Sequence, residues 1–375
     1  MNLIFVRFKS SQVGGAEKYL RRLKESLISR NTTQDSGQIY SKIEVFSSGD
    51  YGQSAEMHIA LPTLLPSFLK FLYFLFAYDK YHKQHRNAIY FSLERVFDCD
   101  IYRAGDGIHK EWLAIKTRNN LWLKIKSYFN PMNWIYTFIE SHLFLNAKII
   151  IANSKMIQTS LIEKFKVPPE KIRVVYNGIP LPESFDKTSA KNRLYKDFSF
   201  LKDKILLLFV GSGYARKGLQ EALLMLSKIP HKNWHFLIIG KEKKQKHYEQ
   251  LAKRFNILDN TLFLGAQTEV SHFYAASDIF LFPTIYEPCS NATLEAASFE
   301  NAIITTKQNG AGELFNPMFL LDTPQAITQG SEILMKLLES PEFLRETQKN
   351  CAAAVSSLNV ENNLQQTLQI LNEIR

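Results

Sequence analysis

Short apolar runs alternate with longer stretches of helical spacing along the whole chain. In the first half, residues 3–6, 43–46, 88–91 and 149–152 carry the runs, and residues 16–29 show a helical period. The second half repeats the theme. Runs at 205–210, 235–239, 261–264, 279–282 and 302–305 predict strands, and helices are expected over 219–228, 245–255, 271–276 and 291–300. Strands separated by helices imply parallel sheets with helices on both faces, so the expected class is α/β, built as two doubly wound units.

The segment Asn177-Gly-Ile-Pro-Leu-Pro-Glu183 joins a glycine turn to two prolines and runs into a polar stretch as far as Asp203. It reads as the linker between domains. The expected division is a first Rossmann-like domain over 1–180 and a second over 181–358. A last helix over 359–375 is placed as a crossover back to the first. The most apolar window, residues 59–77, contains Pro62, Pro66 and Lys70, which argues for a buried or interfacial helix rather than a membrane-spanning one.

Composition narrows the function classes. With 375 residues, 45% of them hydrophobic, the chain can bury two cores, and its three cysteines (Cys99, Cys289, Cys351) match no metal-ligand spacing. The start of the chain enters an apolar strand without a secretory pattern, so a cytoplasmic location is expected. The formal charge of +10 points to an anionic partner. The basic residues are dispersed and form no zinc-finger or single-strand-binding pattern, which disfavours nucleic acid.

Three loops carry candidate chemistry. Gly14-Gly15 follows the first strand and removes Cβ atoms where a ligand would approach the backbone. The turn Gly211-Ser-Gly-Tyr-Ala-Arg216-Lys217-Gly218 follows the strand at 205–210 and sets two adjacent cations at a flexible loop, which suits phosphate. After the run at 279–282 comes Glu287-Pro-Cys-Ser-Asn-Ala-Thr-Leu-Glu295, with seven residues between its carboxylates across a strand-to-helix turn. The helix beginning at Asn291 would direct its first amides at an anion beyond the strand.

Together these three features resemble the two-domain GT-B glycosyltransferases of family 4, nearest to the WaaG-like branch that glucosylates the lipopolysaccharide core. The resemblance covers most of the chain. It implies two Rossmann-like domains facing across a cleft and retaining transfer of a hexose from UDP-glucose to a core sugar, heptose in that branch. No metal or other cofactor is implied. Carried over by motif, Arg216 and Lys217 hold the nucleoside diphosphate, Glu287 contacts the donor sugar and Glu295 its ribose. Ser290 and Asn291 lie near sugar and phosphate, and Gly14 and Gly15 line the diphosphate and acceptor side. In the segment from Asp100 to Trp112, Asp106 is the candidate acceptor-side carboxylate. Asp106 and Glu287 are thus the catalytic candidates, with His109 and Lys241 as further site candidates. The base and sugar of the donor would be set around Gly240, Lys241 and residues 265–267.

Two alternatives stand beside this reading. Asp98-Cys99-Asp100 has the D-x-D form with which metal-dependent transferases of another fold hold a divalent ion. A GT-B-like protein could also bind a sugar nucleotide or glycan without turnover. Residues 110–138 mix Trp112, Trp122, Tyr128, Phe129, Trp134 and Tyr136 with five cations. That mixture suits the face of an anionic membrane carrying a lipid-linked acceptor, and it would equally serve helices whose aromatics cover the first domain's sheet.

Overall fold

The computed structural model describes residues 1–8, 15–32, 40–48, 57–62, 64–118 and 120–374. By its contacts the chain divides into two compact units, residues 1–175 with 363–375, and residues 176–362. The boundary lies five residues before the one read from the sequence.

The first unit is a parallel sheet of β1 (Asn2–Arg7), β2 (Lys42–Ser47), β3 (Met57–His58), β4 (Ala88–Ser92), β5 (Ile101–Arg103), β6 (Ile149–Ala152) and β7 (Ile172–Val174), in the order 3-2-1-4-5-6-7. Leu3 pairs in register with Ile43 on one side and Ile89 on the other. Around the sheet stand α1 (Gly15–Thr32), α2 (Ser67–Gln84), α3 (His109–Thr117), α4 (Leu121–Tyr128), α5 (Pro131–Asn146) and α6 (Lys155–Phe165). Central strands buried on both faces explain why their sequences read as unbroken apolar runs instead of alternating ones. The window at 59–77 becomes the start of α2. Phe71, Phe74, Leu75 and Tyr78 are buried on one face, where Phe74 and Tyr78 meet Phe46 of β2 edge-on, while Phe76 is exposed on the other.

The second unit begins with α7 (Lys187–Asp197). Its sheet contains β8 (Ile205–Val210), β9 (Trp234–Ile239), β10 (Thr261–Gly265), β11 (Ile279–Phe282), β12 (Ala302–Thr306) and β13 (Leu320–Leu321), ordered 10-9-8-11-12-13 and parallel throughout. Helices α8 (Tyr214–Lys217), α9 (Leu219–Leu226), α10 (Gln245–Arg254), α11 (Ser271–Ala276), α12 (Asn291–Ser298), α13 (Ile327–Glu339) and α14 (Pro341–Val355) complete it. The order of the strands reverses between β8 and β11, so the loops after these two strands lie at the topological switch point, where doubly wound sheets bind ligands. The last helix, α15 (Val360–Glu373), has its residues from Asn363 onward in the first unit, where Thr367 shares a 3.0 Å hydrogen bond with Tyr19.

The expected linker is corrected. Its polar stretch is α7, capped by Asp186, whose side chain accepts from the Thr188 amide at 2.9 Å. The helix packs on α11 and buries Leu194, and Lys191 reaches the Asp278 carboxylate at 2.8 Å. If α7 is part of the second core, Leu194→Ala costs about 2–5 kcal/mol, the usual range for deleting a buried leucine. Urea unfolding of the purified protein measures this, and a linker residue would leave the midpoint unmoved.

Candidate functional site

In the second unit the turn after β8 is drawn against the end of β11. Gly218 has φ +79°, and a Cβ there would stand 1.9 Å from the Pro283 carbonyl oxygen, so glycine is required both by conformation and by space. The Arg216 carbonyl accepts from the Ile285 amide at 2.9 Å and from the Thr284 hydroxyl at 3.1 Å. The loop after β12 closes the assembly: the Glu287 amide donates to the Gln308 carbonyl, and the Gly310 amide donates to the Glu287 carbonyl. Three strand ends are thereby joined by backbone hydrogen bonds.

This frame brings together Arg216, Lys217 and Glu287. The Glu287 carboxylate is paired with the Arg216 guanidinium and lies 2.6 Å from Lys217 Nζ. Burial, and then the neighbouring Arg216, push the Lys217 ammonium down to about 7, an effect that the Glu287 carboxylate opposes. Burial also lowers Arg216, which stays charged. Two cations are thus held partly desolvated with a single carboxylate between them, an arrangement that favours a further anion.

Asn291 and Glu295 lie on α12, which Ser290 caps by accepting from the Thr293 amide at 3.2 Å. The Ser290 amide itself donates to Asn309 Oδ1 at 3.3 Å, so the protein already engages it. The side chain of Asn291 accepts from Asn177 at 2.7 Å. Glu295 bonds the hydroxyl of Tyr274 on α11, and burial together with the Glu295 charge raises that phenol well above its usual value. Lys241 is exposed beyond β9, its amide donating to Ser212 Oγ at 3.2 Å. The preceding Gly240, at φ +147°, passes so near Gly211 that a Cβ would meet the Gly211 carbonyl oxygen at 2.2 Å.

In the first unit, Asp106 occupies an exposed turn after β5, with its carboxylate 3.6 Å from Arg7 Nη1 at the end of β1. Arg7 also reaches Glu17 at 3.3 Å and Glu94 at 3.7 Å. Beneath the turn Arg95 donates to the Gly107 carbonyl at 3.0 Å and pairs with Glu140 at 2.8 Å, both residues being buried. Glu140 accepts in addition from the amides of His109 and Lys110, capping α3 from a neighbouring helix. Breaking such a pair from one side typically costs about 3–5 kcal/mol, so the turn that carries Asp106 is firmly fixed. The His109 ring is turned toward α5, with Nε2 3.0 Å from Asn133 Oδ1, and burial followed by the Arg95 charge lowers its pKa. Gly14 lies outside the described residues, and Gly15 opens α1.

Asp98 and Asp100 stand before β5, at the opposite end of that strand from Asp106. Asp100 is occupied by the Tyr90 amide at 2.8 Å and by Lys148 at 2.7 Å. A ligand at the carboxyl ends of the strands would therefore not reach this pair.

Sequence reading missed Asn309. Buried after β12, it accepts from the Ser290 and Ala311 amides and donates to the hydroxyls of Thr293 and Thr305, each donation at 3.0 Å. The run Asn309-Gly-Ala-Gly-Glu313 at a strand end was the available signal. Tyr274, Arg7 and Glu140 have no local signal, because the partners that matter, Glu295 for Tyr274, Glu94 and Asp106 for Arg7, and Arg95 for Glu140, lie outside their own segments.

The profile of the glycosyl transferases group 1 matches residues 191–354, and that of Glycosyltransferase Family 4 matches residues 13–182. The N-acetylgalactosamine-N,N'-diacetylbacillosaminyl-diphospho-undecaprenol 4-alpha-N-acetylgalactosaminyltransferase of Campylobacter jejuni is 27% identical over 235 residues, spanning 61% of this chain and 60% of that protein. The lipopolysaccharide glucosyltransferase WaaG of Escherichia coli is 24% identical over 271 residues, 69% of this chain and 70% of that one. Among solved structures, WaaG, a glycosyltransferase involved in lipopolysaccharide biosynthesis, superposes with a TM-score of 0.78 at 18% identity, covering 98% of this chain and 99% of that chain. The Anabaena protein HepE in complex with UDP and glucose gives 0.68 at 17% identity, with 100% of both chains covered.

Gly218→Ala tests the frame directly. It forces apart the turn after β8 and the end of β11, and the expected result is a loss of about 1–3 kcal/mol or more in stability, as for a residue held in strained backbone. Thermal unfolding compared with Gly213→Ala separates the two causes, since Gly213 shares the positive φ but has open space at its Cβ.

Proposed function

Because the chain belongs to the GT-B glycosyltransferases of family 4, we propose that it moves a hexose, glucose from UDP-glucose, onto a core sugar of lipopolysaccharide or lipooligosaccharide, heptose being the acceptor. The observation that carries this reading is the partly buried cluster of Arg216, Lys217 and Glu287 at the switch point of the second sheet. A relative that acts on a diphospho-undecaprenol acceptor, another that is a lipopolysaccharide glucosyltransferase, and a fold neighbour complexed with UDP support the substrate classes.

The chemistry follows from the charges. Departure of a nucleoside diphosphate develops negative charge on its β-phosphate, and the Arg216 and Lys217 side chains, with the start of α12 nearby, are placed to stabilise it. The donor's phosphates then replace Glu287 as partner of the two cations, and the released carboxylate turns to the hydroxyls of the sugar. In this reading the cations take the part a divalent metal plays in other transferases, and transfer needs no metal. Transfer proceeds with retention, a phosphate oxygen taking the proton of the acceptor hydroxyl, and Asp106 binds that acceptor. Glu295, paired with Tyr274, addresses the ribose.

We place the protein on the inner face of the cytoplasmic membrane. No helix among the described residues is long and apolar enough to cross a bilayer. The aromatics of α4 and its flanks do not cover the sheet: Trp122 is 65% exposed and Phe129 77%, with Lys116, Lys124 and Lys126 exposed among them. Rings at the acyl boundary and cations at lipid phosphates would hold this face to an anionic surface.

Arg216→Ala is expected to weaken UDP binding by about 1.5–3 kcal/mol, the range for a hydrogen bond to a charged group. Glu287→Ala is expected to keep or tighten UDP binding, because it removes the competing carboxylate, and to lower hexose transfer about 10²-fold or more. Calorimetry with UDP and release of UDP from UDP-glucose measure the two effects, and full transfer activity in both variants would remove the assignment.

Lys217 gives the pH dependence. A diphosphate binds the protonated ammonium and raises its pKa, so affinity is greatest below about 7 and falls as pH rises through that value, by up to about tenfold per unit. Titration of UDP between pH 6.5 and 9 should show this fall, and Lys217→Arg should flatten it.

A further inference from the structure

Helices α3, α4 and α5 flank an open groove of about 280 Å³, lined by Leu113, Ala114, Lys124, Tyr128, Trp134 and Thr137 among others. This lies just below the usual range of ligand pockets, roughly 300–1,000 Å³, and matches one slender chain better than a sugar nucleotide. Most polar side chains along it are already satisfied by the protein. Thr117 Oγ1 donates to the Leu113 carbonyl at 2.8 Å, Trp134 Nε1 to the Tyr128 carbonyl at 2.6 Å, and Asn133 Nδ2 to Ser127 Oγ at 2.9 Å. Asn133 Oδ1 faces His109 Nε2 at 3.0 Å. The interior is left to carbon, apart from the hydroxyls of Thr137 and Tyr128.

The surroundings of the groove are cationic. Lys124 lines it while remaining exposed, and Lys116, Arg118 and Lys126 are exposed on the same helices and their junction, with Lys126 Nζ 5.0 Å above the Trp122 ring. A ligand that satisfies both features has an apolar chain and an anionic head. We propose that this groove takes up one acyl chain of an anionic lipid, drawn out of the bilayer, with the lipid phosphate at Lys124. The proposal rests on the reading of this face as membrane-bound and makes it more specific: the protein holds a single lipid chain in addition to lying on the surface. Apolar burial then sets affinity by chain length, and the cations set selectivity for negative headgroups.

The test uses the full chain and lysophosphatidylglycerols of eight, ten and twelve carbons, each below its micellar concentration, with glycerophosphoglycerol as the chainless control. Affinity is expected to rise severalfold with each lengthening, approaching about fourfold per methylene buried, while the control does not bind. Ala114→Trp fills the groove from an exposed position on α3, and Thr137→Phe fills it from α5. Each should weaken binding of the twelve-carbon probe at least tenfold. A chain-brominated probe should quench the fluorescence of the wild-type protein, and Trp134→Phe should remove most of that quenching, which requires no groove-filling variant.

Affinity independent of chain length, or binding that both filled variants retain, overturns the proposal, and so does a concentration-dependent dimer that they abolish. Phosphatidylglycerol vesicles separate the two claims. Vesicle binding without binding of the monomeric probes leaves the membrane reading standing and removes the groove. Length-dependent, variant-sensitive binding of the probes without vesicle binding keeps the groove and removes the membrane reading.

Discussion

The second unit is organised by one close backbone approach, that of residue 218 to the carbonyl of Pro283. Its consequence reaches beyond the glycine. With no side chain between them, the turn after β8 and the end of β11 share hydrogen bonds through the Arg216 carbonyl, and the loop after β12 clamps the Glu287 backbone from the other side. Arg216, Lys217 and Glu287 come from two segments about seventy residues apart, yet their relative positions follow from main-chain contacts rather than from side-chain rotamers. Electrostatic stabilisation of a leaving group depends on such preorganisation, since donors that must be ordered during the reaction lose part of their effect.

The same frame explains why two cations can be kept half-buried. Alone they would repel each other and pay for lost hydration, and the depressed Lys217 is the visible sign of that cost. Glu287 offsets it by pairing with both cations. The one carboxylate is thus shared between two cations, leaving the cluster with a net positive charge. Asp106 in the first unit is held differently. It is exposed, and its turn is fixed from below by the buried Arg95 and Glu140, which together engage the Gly107 carbonyl and the amides that open α3. One carboxylate is nearly buried between two cations, the other exposed beside Arg7 on a rigid support.

Much of this was legible in the sequence where a single segment carries the signal. The strands at 205–210 and 279–282 were read to the residue, because apolar runs bounded by Gly, Pro or Asp leave little freedom in placing their ends. Arg216, Lys217 and Glu287 were legible for the same reason, standing at strand ends in short motifs. Strands β5 and β7, three residues each, escaped because they exist only through pairing with their neighbours. Helix α7 was taken for linker because its average is polar and Leu194 is its one fully buried residue, with Ala190 and Tyr195 only partly buried against the core. Asn309 and Tyr274 matter through partners brought near only by the fold, and no period or local motif encodes that.

The aromatic and basic stretch at 110–138 shows what a pattern by itself leaves open, since rings spaced along helices could equally cover the sheet or face outward. The decision lies with α4. It is eight residues long, has no buried residue, and is set between the side-chain caps of Asn120 and Asn130, with Asn133 bonding back to Ser127. A helix so short gains little from propensity and is normally held by packing an apolar face against the core. Here the hydrogen bonds at its ends add to its packing on α3 and α5, and Leu121, Trp122 and Ile125 stay exposed. α4 itself contributes no buried side chain to the first unit, and its rings at Trp122, Tyr128 and the flanking Phe129 form an exposed apolar patch that folding alone does not explain.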